Sequence, residues 1–225
     1  MIMKKYLFMA FIAFVLCGCK ESSPFQDRLF GGAYYTSRYI TNYIVTSKIV
    51  VENNDGTLCL KVSGQSFDAI IPDEEALYFA DLYNDNCYKG GVMPFRHVAL
   101  AQSLDKITIS CDKDFDAEHL AGEPLDDIAQ LEFASYYPFI ENGYNFFSKD
   151  NWKYRDCIGY TMNFDSINAK IAKLIKVEFV RESELSDVAK IEFASQPAEL
   201  GEYTFTLEVT TNGETFQTEF THTFE

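Results

Sequence analysis

Apolar and polar residues alternate with period two through much of the chain, the spacing of strands with one face buried. The alternation is cleanest near the C-terminus. Tyr203, Phe205, Leu207 and Val209 share one face, Asn212-Gly213 supplies a tight-turn signal, and the returning run carries Phe216, Phe220 and Phe224. Asn-Gly favours two-residue hairpin loops because both positions there need positive φ. A second hairpin is predicted nearer the N-terminus. Residues 39–51 are rich in β-branched and aromatic side chains and run into Asn53-Asn54-Asp55-Gly56; beyond it Leu58, Leu60 and Val62 alternate with Cys59 and Lys61. Lys106-Ile107-Thr108-Ile109-Ser110-Cys111 reads as a further strand.

Helical signals are few. Pro72-Asp73-Glu74-Glu75 opens a short helix over residues 76–80, since proline and acidic residues suit a first helical turn. Ile167, Ile171, Leu174 and Ile175 have the spacing of an amphipathic helix over residues 166–176. Residues 95–104 read as a second short helix or an irregular apolar stretch, and residues 177–180 as the start of a strand. Ala129-Gln130-Leu131-Glu132-Phe133-Ala134-Ser135 is echoed 60 residues later by Ala189-Lys190-Ile191-Glu192-Phe193-Ala194-Ser195, which suggests two strands in equivalent positions. The expected fold is mainly β, an antiparallel β-sandwich with a few short helices. A β-rich region over residues 29–104 precedes a sandwich region over 105–225, the two being separate or one continuous domain.

The first residues follow a different logic. Lys4 and Lys5 precede an eleven-residue apolar run over residues 6–16, too short for a spanning helix of about 20 residues and suited to a secretory signal. The run ends Leu16-Cys17-Gly18-Cys19, which resembles a bacterial lipobox. The resemblance implies that residues 1–18 are a lipoprotein signal peptide. It also implies that Cys19 is lipidated and that residues 19–28 are a lipidated tether. Several acyl chains give a stable anchor where one is marginal. Lys20 rather than Asp follows Cys19, so the outer membrane is the expected address, on its periplasmic or its cell-surface face.

Composition narrows the rest. Apolar residues make up 47% of the 225 and aromatic residues 16%, which excludes a disordered chain and supports a real core. The formal charge is −15, and it becomes −17 once Lys4 and Lys5 leave with the signal peptide. Such a surface repels nucleic acid and anionic lipid, so the membrane partnership runs through the N-terminal lipid alone. Cys59, Cys87, Cys111 and Cys157 remain beside Cys19. Their number permits two disulfides in any of three pairings, or free buried thiols, and their spacing contains no CxxC pair.

The run Pro197-Ala198-Glu199-Leu200-Gly201-Glu202-Tyr203 resembles the corner before the penultimate strand of an immunoglobulin-like sandwich, which implies an Ig-like C-terminal part. More broadly, Ile107-Thr108-Ile109, the stretch from Asp112-Lys113-Asp114-Phe115-Asp116 through His119 to Ala121-Gly122, and the closing hairpin are similar to uncharacterised cell-envelope lipoproteins of Bacteroidales. That resemblance implies an envelope location and carries over no activity.

Candidate chemistry is sparse. Asp112, Asp114 and Asp116 alternate as in a calcium loop and Glu123 stands twelfth, so these four are the candidate ligands of Ca²⁺; Ala117 occupies the position where an EF-hand needs glycine. Tyrosines 34, 35, 39 and 43, and the aromatic run formed by Tyr136, Tyr137, Tyr144, Phe146, Phe147, Trp152 and Tyr154, are rings that stack on sugars if exposed and fill a β core if not. His97, His119 and His222 lack ligand spacing. Gly64-Gln65-Ser66-Phe67-Asp68 begins like a nucleophile elbow but ends in Asp, and no other catalytic motif appears. The expectation is a non-catalytic outer-membrane lipoprotein, a β-rich interaction or structural module for a protein or glycan ligand. The alternatives are a lipid-anchored glycan- or calcium-binding protein and an unrecognised hydrolase.

Overall fold

The computed structural model describes residues 34–35, 37–70, 73–89, 91–92, 96–145, 156–178 and 185–225. Strand β1 (Tyr34–Tyr35) pairs with β4 (Gly91–Val92). The fold itself begins with the long hairpin of β2 (Asn42–Asn54) and β3 (Thr57–Asp68). Helix α1 (Glu74–Leu82), β5 (Val98–Leu100), β6 (Leu104–Cys111), β7 (Ala129–Ser135), helix α2 (Tyr137–Glu141) and β8 (Ile158–Asn163) follow. Strands β9 (Ser186–Phe193), β10 (Gly201–Thr211) and β11 (Glu214–Phe224) complete it. The protein is mainly β. Among the described residues no helix is long and apolar enough to cross a membrane.

Six strands form one sheet in the order β5-β2-β3-β9-β7-β8, with only β2 and β5 parallel, and three form another in the order β11-β10-β6. The sheets share one core. Ile49, Val51, Leu60, Leu131 and Ile191 of the first meet Ile107, Ile109, Phe205, Leu207 and Val209 of the second. A second core lies on the other face of the six-stranded sheet, where Tyr43 and Phe67 are covered by Ala76 and Ala80 of α1 and by Phe139 and Ile140 of α2. Residues 29–104 and 105–225 both contribute strands to the six-stranded sheet, so they form one continuous unit. Within the C-terminal part, β6 and β10 share the main core with β7 and β9. The Tyr203 hydroxyl donates back to the Glu199 carbonyl at 2.7 Å, as in a tyrosine corner.

Local chemistry explains the elements that form as expected. Asp55 (φ 50°) and Gly56 (φ 84°) make the first two-residue turn, and Asn212 (φ 50°) and Gly213 (φ 76°) the last. Asp73 caps α1 by accepting the Ala76 amide at 2.8 Å. The two echoed segments are partners: Ala129 stands opposite Phe193, Leu131 opposite Ile191 and Phe133 opposite Ala189. Each Phe therefore sits across from an Ala, which keeps the paired volume even.

Two expectations need correction. Residues 166–176 are not an α-helix; a 3-10 turn at Phe164–Ser166 gives way to irregular turns. Their apolar positions are buried as the periodicity requires, but their backbone groups find partners outside the segment. Ile175 and Val177 bond β5, Lys176 bonds the Ala134 carbonyl of β7, and Glu178 bonds the Asp187 carbonyl of β9. Tertiary bonds that satisfy these groups remove the incentive for helix. Residues 98–100, in the apolar stretch read as helical or irregular, form the parallel strand β5. Near 177–180, Glu178 makes an isolated bridge to Asp187, and residues 179–180 lie outside the described residues.

Strand β2 carries one extra residue between Thr46 and Lys48 relative to β3. A bulge of this kind inverts the parity of inward positions. Ile44 before it and Ile49 and Val51 after it consequently all belong to the main core. Opposite the bulge stands Gly64, where an added Cβ would lie 1.9 Å from the Val45 carbonyl oxygen. Gly64→Ala should lower unfolding stability by about 2–3 kcal/mol, the cost of overpacking a site that cannot relax without moving backbone. Gly56→Ala meets no atom within 4 Å and strains only φ, so about 1 kcal/mol is expected there. Urea denaturation of the two variants checks the order; equal losses would contradict it.

Candidate functional site

The acidic loop after β6 is built around Phe115. Phe115 is fully buried and closes the end of the main core against Phe193, Tyr203 and Phe224. The carboxylates hold the loop to this plug. Asp112 accepts the Thr204 amide of β10 at 2.9 Å, and Asp114 accepts the Ala121 amide at 2.8 Å. Asp116 accepts the amides of Glu118 and His119 at 2.8 and 2.9 Å, and Glu123 accepts the Leu120 amide at 3.2 Å. Among the described residues no three His, Cys, Asp or Glu side chains are grouped to hold a metal. The four residues read as candidate Ca²⁺ ligands thus each accept at least one backbone amide.

His119 is clamped from both ring nitrogens, Nδ1 by Asp116 at 2.9 Å and Nε2 by Asp127 at 3.0 Å. The bond to Asp116, assisted by Asp127, raises its pKa above the ordinary 6.5. The three histidines serve three separate places. His222, on β11, packs against Phe224 with ring centres 4.7 Å apart, and burial lowers its pKa. His97 belongs to a third cluster, which the sequence did not disclose.

That cluster surrounds a buried carboxylate. Asp85 is fully enclosed and accepts four bonds: the backbone amides of Tyr39 and Ile40, each at 2.8 Å, and the hydroxyls of Tyr144 at 3.1 Å and Tyr43 at 3.3 Å. Burial raises its pKa despite these donors. Next to it, Tyr39 stacks on His97 with ring centres 4.1 Å apart, and the Tyr39 hydroxyl donates to Asp156 while standing 3.1 Å from Nε2 of His97. Nδ1 of His97 donates to the Tyr39 carbonyl at 3.2 Å. Burial outweighs the nearby Asp156 and lowers the His97 pKa, so the ring is neutral at neutral pH. The adjacent Cys157 thiol is pushed by burial up to about 11, which leaves it protonated and unreactive.

The other expected residues fall as follows. Cys59, Cys111 and Cys157 are free thiols, so no bridge joins any two of the four cysteines 59, 87, 111 and 157. Ser66 lies in the continuous strand β3, not on an elbow, and accepts from Asn42 at 3.4 Å. Tyr39, Tyr43 and Tyr136 are core residues. Cys19, Phe146, Phe147, Trp152 and Tyr154 lie outside the described residues, as do the signal peptide and tether.

One cleft of about 400 Å³ opens where α2, the edge strand β8 and the turn over residues 168–173 meet. Tyr137 and Glu141 come from α2, Tyr160 and Met162 from β8, and Lys170, Ile171 and Lys173 from the turn. Its walls are fixed by buried structure. Ser135, fully buried at the end of β7, donates to the Lys173 carbonyl at 2.6 Å and accepts the Tyr137 amide at 3.1 Å, which ties the turn to the helix. Tyr160 stacks on Phe133 with ring centres 5.3 Å apart. Lys173 holds its ammonium 4.5 Å from the centre of the Tyr137 ring, whose hydroxyl donates to Glu141 at 3.3 Å. Periodicity could not reveal this cleft, because its walls are joined by contacts between residues more than twenty positions apart.

Neither the protein-family models nor the curated proteins nor the solved structures contain a match to this chain.

The opposed environments of the histidines make a direct test. In a proton NMR titration His119 should titrate above 6.5 and His97 below it. His119 then contributes stability that is complete below its unfolded value and lost as pH rises through the folded one. His97, favoured neutral, contributes stability present above 6.5 and lost as pH falls through its folded value. Asp127→Asn should lower the His119 midpoint and leave that of His97 in place; coincident midpoints would contradict both assignments.

Proposed function

We propose that the protein is a lipid-anchored outer-membrane lipoprotein whose β-sandwich is a non-catalytic interaction module. The observation that carries the binding half is the open cleft between α2, β8 and the 168–173 turn. It mixes aromatic, aliphatic and charged groups on walls that buried hydrogen bonds hold in place. Sites that recognise small ligands have this character, a largely preformed and mainly apolar recess with a few placed polar groups. The anchoring half rests on Leu16-Cys17-Gly18-Cys19. Lipid suits the charge: a chain of formal charge −15 gains nothing from an anionic bilayer surface and must be held by acyl chains. The partly exposed Tyr39–His97–Asp156 group is read as structural, because its members are committed to one another and Cys157 beside them is held protonated.

Cys19→Ala should abolish incorporation of labelled palmitate and move the protein from the membrane to the soluble fraction. Retained labelling in that variant would overturn the anchor.

A further inference from the structure

We propose that the cleft between α2, β8 and the 168–173 turn binds an acidic sugar, a pyranose carrying a carboxylate. This inference rests on the interaction-module reading and gives its site a ligand class. Lys170 and Lys173 converge on one recess of a chain in which acidic groups outnumber basic ones 34 to 19. Among the described residues Glu141 is the one acid in that lining, which gives the described lining residues a cationic excess inside an otherwise repelling field. An anionic group is thereby favoured there over the rest of the surface. The remaining lining selects more than charge. Tyr137 and Tyr160 provide rings for the apolar face of a sugar, and Met162 and Ile171 extend that platform. Glu141 accepts from hydroxyls, as it does from Tyr137. A bare inorganic anion would leave the rings unused, and a neutral sugar would leave the lysines unused.

The recess is also preorganised. Ser135 locks both walls, and Leu174, directly after Lys173, holds φ at +44° with its side chain fully buried. A bulky residue in the left-handed region is strained, and such strain persists only where surrounding structure enforces it. Buried packing of Leu174 therefore fixes the turn that presents Lys170 and Lys173. A volume of about 400 Å³ lies at the small end of ligand sites, enough for one or two sugar rings.

The test is calorimetric titration of the full chain in detergent with trigalacturonic acid, and with galactotriose as the neutral probe. Trigalacturonic acid should bind at least about tenfold more tightly than galactotriose, and its affinity should fall as salt is raised. The double variant Lys170→Gln/Lys173→Gln, both at partly or fully exposed positions, should lose about tenfold or more of that affinity while its circular dichroism is unchanged. Absence of binding, equal binding of galactotriose, or an unaffected double variant would overturn the proposal. So would equally effective competition by citrate or a triglutamate peptide, which would show a general anion site. Palmitate labelling of the same preparation separates failure of this site from failure of the anchor.

Discussion

The close approach of β3 to β2 at Gly64 is the contact on which the remaining architecture depends. The β2–β3 hairpin serves both cores along its length. Its turn-proximal half gives Ile49, Val51, Leu58, Leu60 and Val62 to the interior between the sheets. Its distal half gives Tyr43 and Phe67 to the layer under the helices while Ile44 still faces the sandwich. A regular β2 that faced Ile44 to the sandwich would turn Ile49 and Val51 to the opposite face. The extra residue in β2 resets the parity, and the backbone crowding it creates is relieved by the missing side chain at 64.

Asp85 imposes the matching constraint on the second layer. A buried carboxylate is tolerable only when its oxygens are bonded, and each donor left unmet costs about 1–3 kcal/mol. Here two of the four donors are backbone amides of the approach to β2, and two are tyrosine hydroxyls from β2 and from the segment after α2. The carboxylate thus draws three separate parts of the chain to one point, the loop after α1 included. Tyr39 is placed by its own amide, and His97, stacked on its ring, is placed in turn. The cluster looks catalytic in composition, yet its geometry is that of a clamp.

What was legible in the sequence was local. Asp55-Gly56 and Asn212-Gly213 encode their turns in two residues each, and the strands beside them alternate, so both hairpins and the mainly β class could be read directly. Asp73 encodes its cap in the same way. Residues 166–176 misled because helical periodicity records which positions are buried, not where the backbone bonds go. Ala172, Leu174 and Ile175 are buried as a helix would have them, but their carbonyls bond Leu104, Tyr136 and Leu100. The role of Phe115 in the acidic loop was hidden for a related reason. Alternating carboxylates suit an ion or a set of backbone amides equally well, and the pattern alone does not show that the loop carries a buried plug. The cleft was illegible because Tyr137, Tyr160 and Lys173 acquire a shared role only through Ser135 and Phe133, which are buried.

The segment that defeated the helical reading is also the one that forms a wall of the cleft, and the connection is physical. Residues 175–178 bond β5, β7 and β9 in succession, which requires an extended backbone. The chain reaches that extended run from the turn beginning at Asn168, whose side chain accepts the Lys170 amide at 3.0 Å and whose carbonyl accepts from Ile171 and Ala172. Leu174 joins turn to strand, and its left-handed conformation is the strain of that join. A helix over the same residues would have carried its first turn onward, and the bonds to the three strands could not have formed. The break in local pattern therefore stiffens the sheet and projects Lys170 and Lys173 in one step. Local preference yields here to a tertiary demand, and a place where that happens is where a binding surface is to be sought.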